Sequence, residues 1–169
     1  MTRAQSGELA TKRDQAGLEK LARVRGDKAI ARALRILERR AQAPGFVMGD
    51  AVTCGSFFRL RLGAEVREHF EVAFLNRKNR PIAVERLFSG TIDRADVSPR
   101  IVVQRALALN AAAAIVAHNH PSGCPEPSEA DRLLTIQLRN VLRMVDVTLL
   151  DHFVITATGA VSLAARGSC

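Results

Sequence analysis

A chain of 169 residues, 47% apolar and 25% charged, has the length of one globular domain with a short appendage. This composition excludes a collagen-like, a disordered or a disulfide-stapled chain, and no apolar run approaches the roughly 20 residues of a membrane-spanning helix. The net charge of +8 is concentrated in residues 1–45, which hold 11 basic and 5 acidic side chains against 14 and 12 in residues 46–169. The opening MTRAQSGELATKRDQ lacks the apolar core of a secretory signal. Cys54, Cys124 and Cys169 are odd in number and far apart, so a cytoplasmic protein in a reducing compartment is expected, with no membrane partner. The basic start suits either a solvated helix face or nonspecific contact with nucleic-acid phosphates. With no Trp or Tyr and 7 Phe, the chain has little with which to stack bases.

In chain order, Leu18, Leu21 and Val24 predict a short helix, and Ile30, Leu34, Leu37 and Ala41 predict a second one that Asp27 caps. Ala43-Pro44-Gly45 ends this pattern, which divides the chain into a basic helical segment, 1–45, and a larger domain, 46–169. Asp50 opens a helix through Leu62. Phe70–Leu75 and Pro81–Phe88 read as neighbouring strands around the polar turn Asn76–Arg80. Ser98-Pro99 combines a capping hydroxyl with a proline at the first helical position, leading through Val103, Ala106, Leu107 and Asn110. Ala111–Ala117 is a continuous small apolar run, as a strand covered on both faces requires. His118–Pro127 is a loop, and Leu134, Leu138, Val141, Leu142 and Val145 mark a helix. Val147–Thr156 and Val161–Leu163 close the chain as strands around a Thr158-Gly159 turn. The expected class is α/β, a mixed β-sheet flanked by helices.

The chemistry concentrates in His118-Asn119-His120 and the residues after it. Side chains at i and i+2 of an extended run point the same way, so the two rings can converge on one ion, at roughly 2.0–2.1 Å for zinc. Ser128 caps the next helix, which puts Asp131 in its first turn, facing back to the strand end. Capping alone would explain Ser128 and Asp131 but would leave both histidines idle. Two imidazoles and a carboxylate make three ligands, leaving a fourth position for water in a catalytic zinc site.

This stretch resembles the JAMM (MPN+) metallopeptidase motif, a glutamate followed downstream by His-x-His-x10-Asp. More closely, residues 50–167 resemble the bacterial RadC (UPF0758) family. The matching segments are Leu87-Phe88-Ser89-Gly90-Thr91-Ile92-Asp93, Ser98-Pro99-Arg100, His118-Asn119-His120-Pro121-Ser122-Gly123, Pro127-Ser128-x-x-Asp131 and Leu150-Asp151-His152. The resemblance implies a JAB/MPN domain of cytidine-deaminase-like architecture, zinc on His118, His120 and Asp131, and a peptide or protein substrate. It also implies a general-base glutamate. Glu68 stands where the motif places it, 50 residues ahead of His118, with Glu71 and Glu85 as rivals. Ser128 would add an oxyanion donor to its capping role. The family's DNA-repair association would instead engage the basic N-terminal segment. A nucleobase deaminase needs H-x-E and P-C-x-x-C, and this chain has neither. His152 reads as a satisfied structural histidine, His69 as a strand-edge residue, Cys124 as an incidental loop thiol and Arg77–Arg80 as a solvated hairpin tip. Nothing in the sequence specifies an oligomeric state.

Overall fold

Strand β3 (Ala113–Asn119) is buried along its whole length, and the rest of the fold is arranged to cover it. The computed structural model describes residues 26–29, 31–33, 35–36, 39, 46–90 and 97–167. By internal contacts the chain forms two units, residues 1–36 and 37–169. In the first, every described residue from Gly26 to Ile36 is helical, and Lys28, Arg32 and Arg35 are exposed. Asp27 already lies within that helix, behind Gly26, and so does not cap it. The expected 18–24 helix, the stripe positions Ile30, Leu34, Leu37 and Ala41, and the Ala43-Pro44-Gly45 boundary lie outside the described residues, as does Thr91-Ile92-Asp93.

The second unit runs α1 (Ala51–Leu62), β1 (His69–Leu75), β2 (Pro81–Ser89), α2 (Pro99–Ala108), β3, α3 (Glu129–Arg143), β4 (Thr148–Ile155) and β5 (Ala160–Ser162). Asp50 caps α1 by accepting from the Thr53 N–H at 2.7 Å. The β1–β2 turn is closed by Asn76, whose side-chain oxygen accepts from the Lys78 and Arg80 N–H groups. The sheet order is β2-β1-β3-β4-β5, with β3 and β4 parallel and the other pairs antiparallel. This is the mixed sheet expected. Helix α1 covers one face, packing Phe57, Phe58 and Leu62 on Ala73, Leu75, Ile115 and Phe153. On the other face, Val102 and Ala106 of α2 and Leu138 and Leu142 of α3 pack on Phe70, Val72 and Val116. Small residues let α1 approach closely: a Cβ on Gly55 would stand 3.0 Å from that of Ala160 in β5.

Several local expectations need correction. Strand β3 ends two residues later than the apolar run, because pairing with both neighbours continues through His118↔Phe70 and Asn119↔Ile155. The Ser98 hydroxyl makes no cap bond, since the Ile101 N–H it would serve donates to the Ser98 carbonyl instead. In α2 it is Val102, not Leu107, that is buried with Ala106; Leu107 is exposed, and the helix ends before Asn110, which has φ +50°. Helix α3 buries a polar residue, Thr135, beside Leu138 and Leu142. His69 is buried rather than at an open edge, with Nδ1 2.8 Å from the Ser89 hydroxyl. No helix among the described residues is long and apolar enough to cross a membrane.

Burial, together with the charges of Asp50 and Asp151, pushes the Cys54 thiol up to about 11. At about pH 8 it stays protonated and inert, whereas Cys124 is exposed. Iodoacetamide should therefore label Cys124 in the folded protein and Cys54 only after denaturation, as read by peptide mass spectrometry.

Candidate metal centre

Alternation along β3 sends Ala114, Val116 and His118 to the face covered by α2 and α3. His120 returns to that side two residues later, and its N–H still donates to the Ile155 carbonyl at 2.8 Å, so the extended path outlasts the strand. The two Nε2 atoms come to 3.0 Å from each other. A loop then leads to Ser128, where both halves of a capping box form. The Ser128 Oγ accepts from the Asp131 N–H at 3.1 Å, and Asp131 Oδ2 accepts from the Ser128 N–H at 2.7 Å. The box turns the Asp131 carboxylate back to the strand end, with Oδ1 3.1 Å from His118 Nε2 and Oδ2 3.5 Å from His120 Nε2. One ligand atom from each of the three residues lies within 4.8 Å of the other two; no other such group occurs among the described residues.

The hydrogen bonds behind the rings determine where their protons sit. His120 Nδ1 lies 2.8 Å from the Cys124 carbonyl oxygen, which can only accept, so Nδ1 carries the hydrogen and Nε2 a lone pair. Behind His118 the constraint passes through two residues. The Thr135 hydroxyl donates to the Asp131 carbonyl at 2.6 Å, which leaves its oxygen to accept from His152 Nδ1 at 2.6 Å. His152 Nε2 is then an acceptor for the His118 Nδ1–H, 2.8 Å away. His118 Nε2 is left with a lone pair as well. Two lone pairs facing each other at 3.0 Å repel unless positive charge lies between them, either a proton or a cation shared with Asp131. The donor set, two neutral imidazoles and a carboxylate backed by ordered hydrogen bonds, fits a zinc-like ion.

The charges describe the alternative filling of the site, by a proton: burial opposes ionisation of Asp131, but hydrogen bonds that protonated His118 and His120 donate from Nε2 outweigh it and hold the carboxyl far below the usual carboxylate range. The Asp131 hydrogen bond raises the pKa of His120, with Glu68 adding to the effect through its charge. Complete burial keeps His152 neutral, well below an ordinary imidazole.

The three glutamates part company. Glu68 lies one residue before β1, half-buried, and near enough to His120 for its charge to raise that imidazole's pKa. Glu71 points to the opposite face and is fully buried between Arg61 Nε at 2.6 Å and Arg86 Nε at 3.2 Å. Glu85 lies on the outer strand β2, gripped by Arg105 through Nε at 2.9 Å and Nη2 at 2.6 Å, which holds its carboxyl below the ordinary range. The Ser128 hydroxyl donates its proton to Asp131 Oδ2 at 2.6 Å. Cys124 contributes its carbonyl, not its thiol.

A family model described as the RadC-like JAB domain matches residues 49–168. The chain belongs to that family. A UPF0758 protein of Xanthomonas oryzae pv. oryzae is 52% identical over 141 residues, covering 82% of this chain and 63% of the relative. UPF0758 proteins of Xanthomonas axonopodis pv. citri and Xylella fastidiosa are 55% and 52% identical over 123 residues, covering 73% of this chain and 55% of each relative. The chain thus spans 55–63% of the length of these curated relatives.

In this RadC-like JAB domain the His118–His120–Asp131 group is compatible with a metal site. Spacing alone anticipated that the three would meet. It did not reveal the relay through Thr135 and His152. The signals for it were a threonine four residues after Asp131 on the buried side of α3 and a histidine on β4 paired with Val116. Thr135→Val removes the acceptor that holds the His152 hydrogen. It should weaken zinc binding by about 10–100-fold in a chelator competition, with Thr135→Ser close to the parent.

Proposed function

We propose that this chain is a zinc-dependent metallohydrolase of the JAMM type that cleaves peptide or isopeptide bonds. The observation carrying this reading is the convergence of the His118 and His120 Nε2 atoms, 3.0 Å apart, on the Asp131 carboxylate, with the Glu68 charge felt at His120. His118, His120 and Asp131 would hold the ion, and when bound it would lower the pKa of a coordinated water to about 7 and polarise the scissile carbonyl.

The remaining work falls to residues of the chain. Glu68, half-buried and near enough to His120 for its charge to act there, accepts a proton from the attacking water as the water oxygen bonds to the carbonyl carbon. It returns that proton to the departing nitrogen as the C–N bond breaks, leaving a carboxylate and an amine. Ser128 holds the Asp131 carboxylate in place. Its hydroxyl would also donate to the developing oxyanion, a contribution worth about 10²–10³ in rate. His152 and Thr135 keep the His118 hydrogen on Nδ1.

Parent protein and Glu68→Gln should bind equal zinc by elemental analysis, while cleavage of a broad peptide library falls by about 10²–10⁴ in the variant. Equal cleavage by both would remove Glu68 from this role. Asp131→Asn should lose the metal and the activity together.

A second reading, contact with nucleic-acid phosphates, is favoured by Lys28, Arg32 and Arg35, which stand exposed at i, i+4 and i+7 of a helix. Reversing these three charges should weaken DNA binding. It should also flatten the salt dependence by about 0.9 in log–log slope for every phosphate that is no longer neutralised. An unchanged slope would dismiss the arm.

A further inference from the structure

Between the two histidines lies Asn119, 1% exposed and pointing to the other face of the sheet, where α1 hands the chain to β1. Its carboxamide is fully engaged. Oδ1 accepts from the His69 N–H at 2.8 Å, while Nδ2 donates to the Arg67 carbonyl at 2.8 Å and to the Glu65 carbonyl at 3.3 Å. One side chain therefore bonds to the peptide groups on both sides of Glu68. The Glu68 carbonyl is itself taken by the Gly90 N–H at 2.9 Å. With both flanking peptides and its own carbonyl fixed, the backbone of residue 68 has little freedom to rotate, and its Cα–Cβ bond is aimed by the same strand that aims the histidines.

We infer that Asn119 is a positioning residue that locks the Glu65–His69 loop, and with it Glu68, to the strand carrying His118 and His120. The inference deepens the hydrolase reading and rests on Glu68 having the role given there. The chemistry is specific to a carboxamide: two carbonyls and one N–H need two donors and one acceptor from a single side chain. Aspartate keeps the acceptor and loses both donors. Alanine loses all three bonds, leaving the buried His69 N–H and two part-buried carbonyls without them.

The test uses the full chain with cobalt(II) as the probe, so no substrate is needed. The variants are Glu68→Gln, Asn119→Ala, Asn119→Asp and the Glu68→Gln/Asn119→Ala double. The visible cobalt band is titrated with pH, and cobalt affinity is measured alongside. Glu68→Gln is expected to move the pH midpoint. Asn119→Ala should move it in the same direction by at least half as far, with affinity within about tenfold of the parent because the ligands remain. Asn119→Asp should fall between, and it supplies the same readings if the alanine variant does not fold. The double variant should move no further than Glu68→Gln alone, since Asn119 acts through that glutamate. An unmoved midpoint in both Asn119 variants, or shifts that add, would overturn the inference. So would loss of cobalt by both Asn119 variants, which would mean that the residue holds the strand rather than the loop. If Glu68→Gln leaves the midpoint unmoved, the hydrolase reading loses its base and amide exchange decides the clamp. Faster exchange at His69 in Asn119→Ala than in Glu68→Gln then supports it, and equal rates overturn it.

Discussion

The carbonyl oxygens of Cys124 and Asp131 can only accept hydrogen bonds, so each compels a ring N–H or a hydroxyl to face it. Through one direct bond and one relay they leave both Nε2 atoms as lone pairs, pressed together beside a carboxylate. Three side chains with free tautomers and rotamers would bind an ion weakly, because each would first have to be ordered. Here the ordering is done by the fold. It requires the burial of Thr135, His152 and Asn119, which is tolerable because every buried side-chain polar atom among the described residues has a partner.

Strand β3 joins that ordering to the core. Its alanines, Ile115 and Val116 are covered on both faces, which fixes its register against β1 and β4. A one-residue slip would exchange the histidines for Asn119 and bury the wrong groups. The same burial keeps His152 uncharged, so the charge beside the two metal-compatible histidines is that of the directly apposed Asp131, with Glu68 adding a second negative charge nearby.

Most of the fold was legible because its elements carry local signals. The Asp50 cap and the Asn76–Arg80 turn each act over a few residues, and α1 and the β1–β2 hairpin appear where those residues place them. Errors arose where tertiary pairing overrode local pattern: β3 continues through His118 and Asn119 because its neighbours do, and Val102 displaces Leu107 because α2 sits against α3 and the sheet. At the site, the meeting of His118, His120 and Asp131 was legible because strand alternation and a capping box are both local. The separation of Glu68 from Glu71 and Glu85 was not, since it depends on sheet register and on the arginines of α1, β2 and α2. The relay was hidden for the same reason: Thr135 and His152 are 17 residues apart and meet only across the helix–sheet interface.

The capping box has an implication for how such a domain drifts. Ser128 and Asp131 start α3 whether or not anything is ever bound, and losing a cap of this kind costs about 1 kcal/mol of stability. Purifying pressure for folding alone would therefore keep the aspartate, as core packing would keep β3 straight. A relative in which these side chains bind nothing could retain much of the arrangement as plain architecture. His120, less buried than His118 and not bonded to the buried His152, would be the first to change.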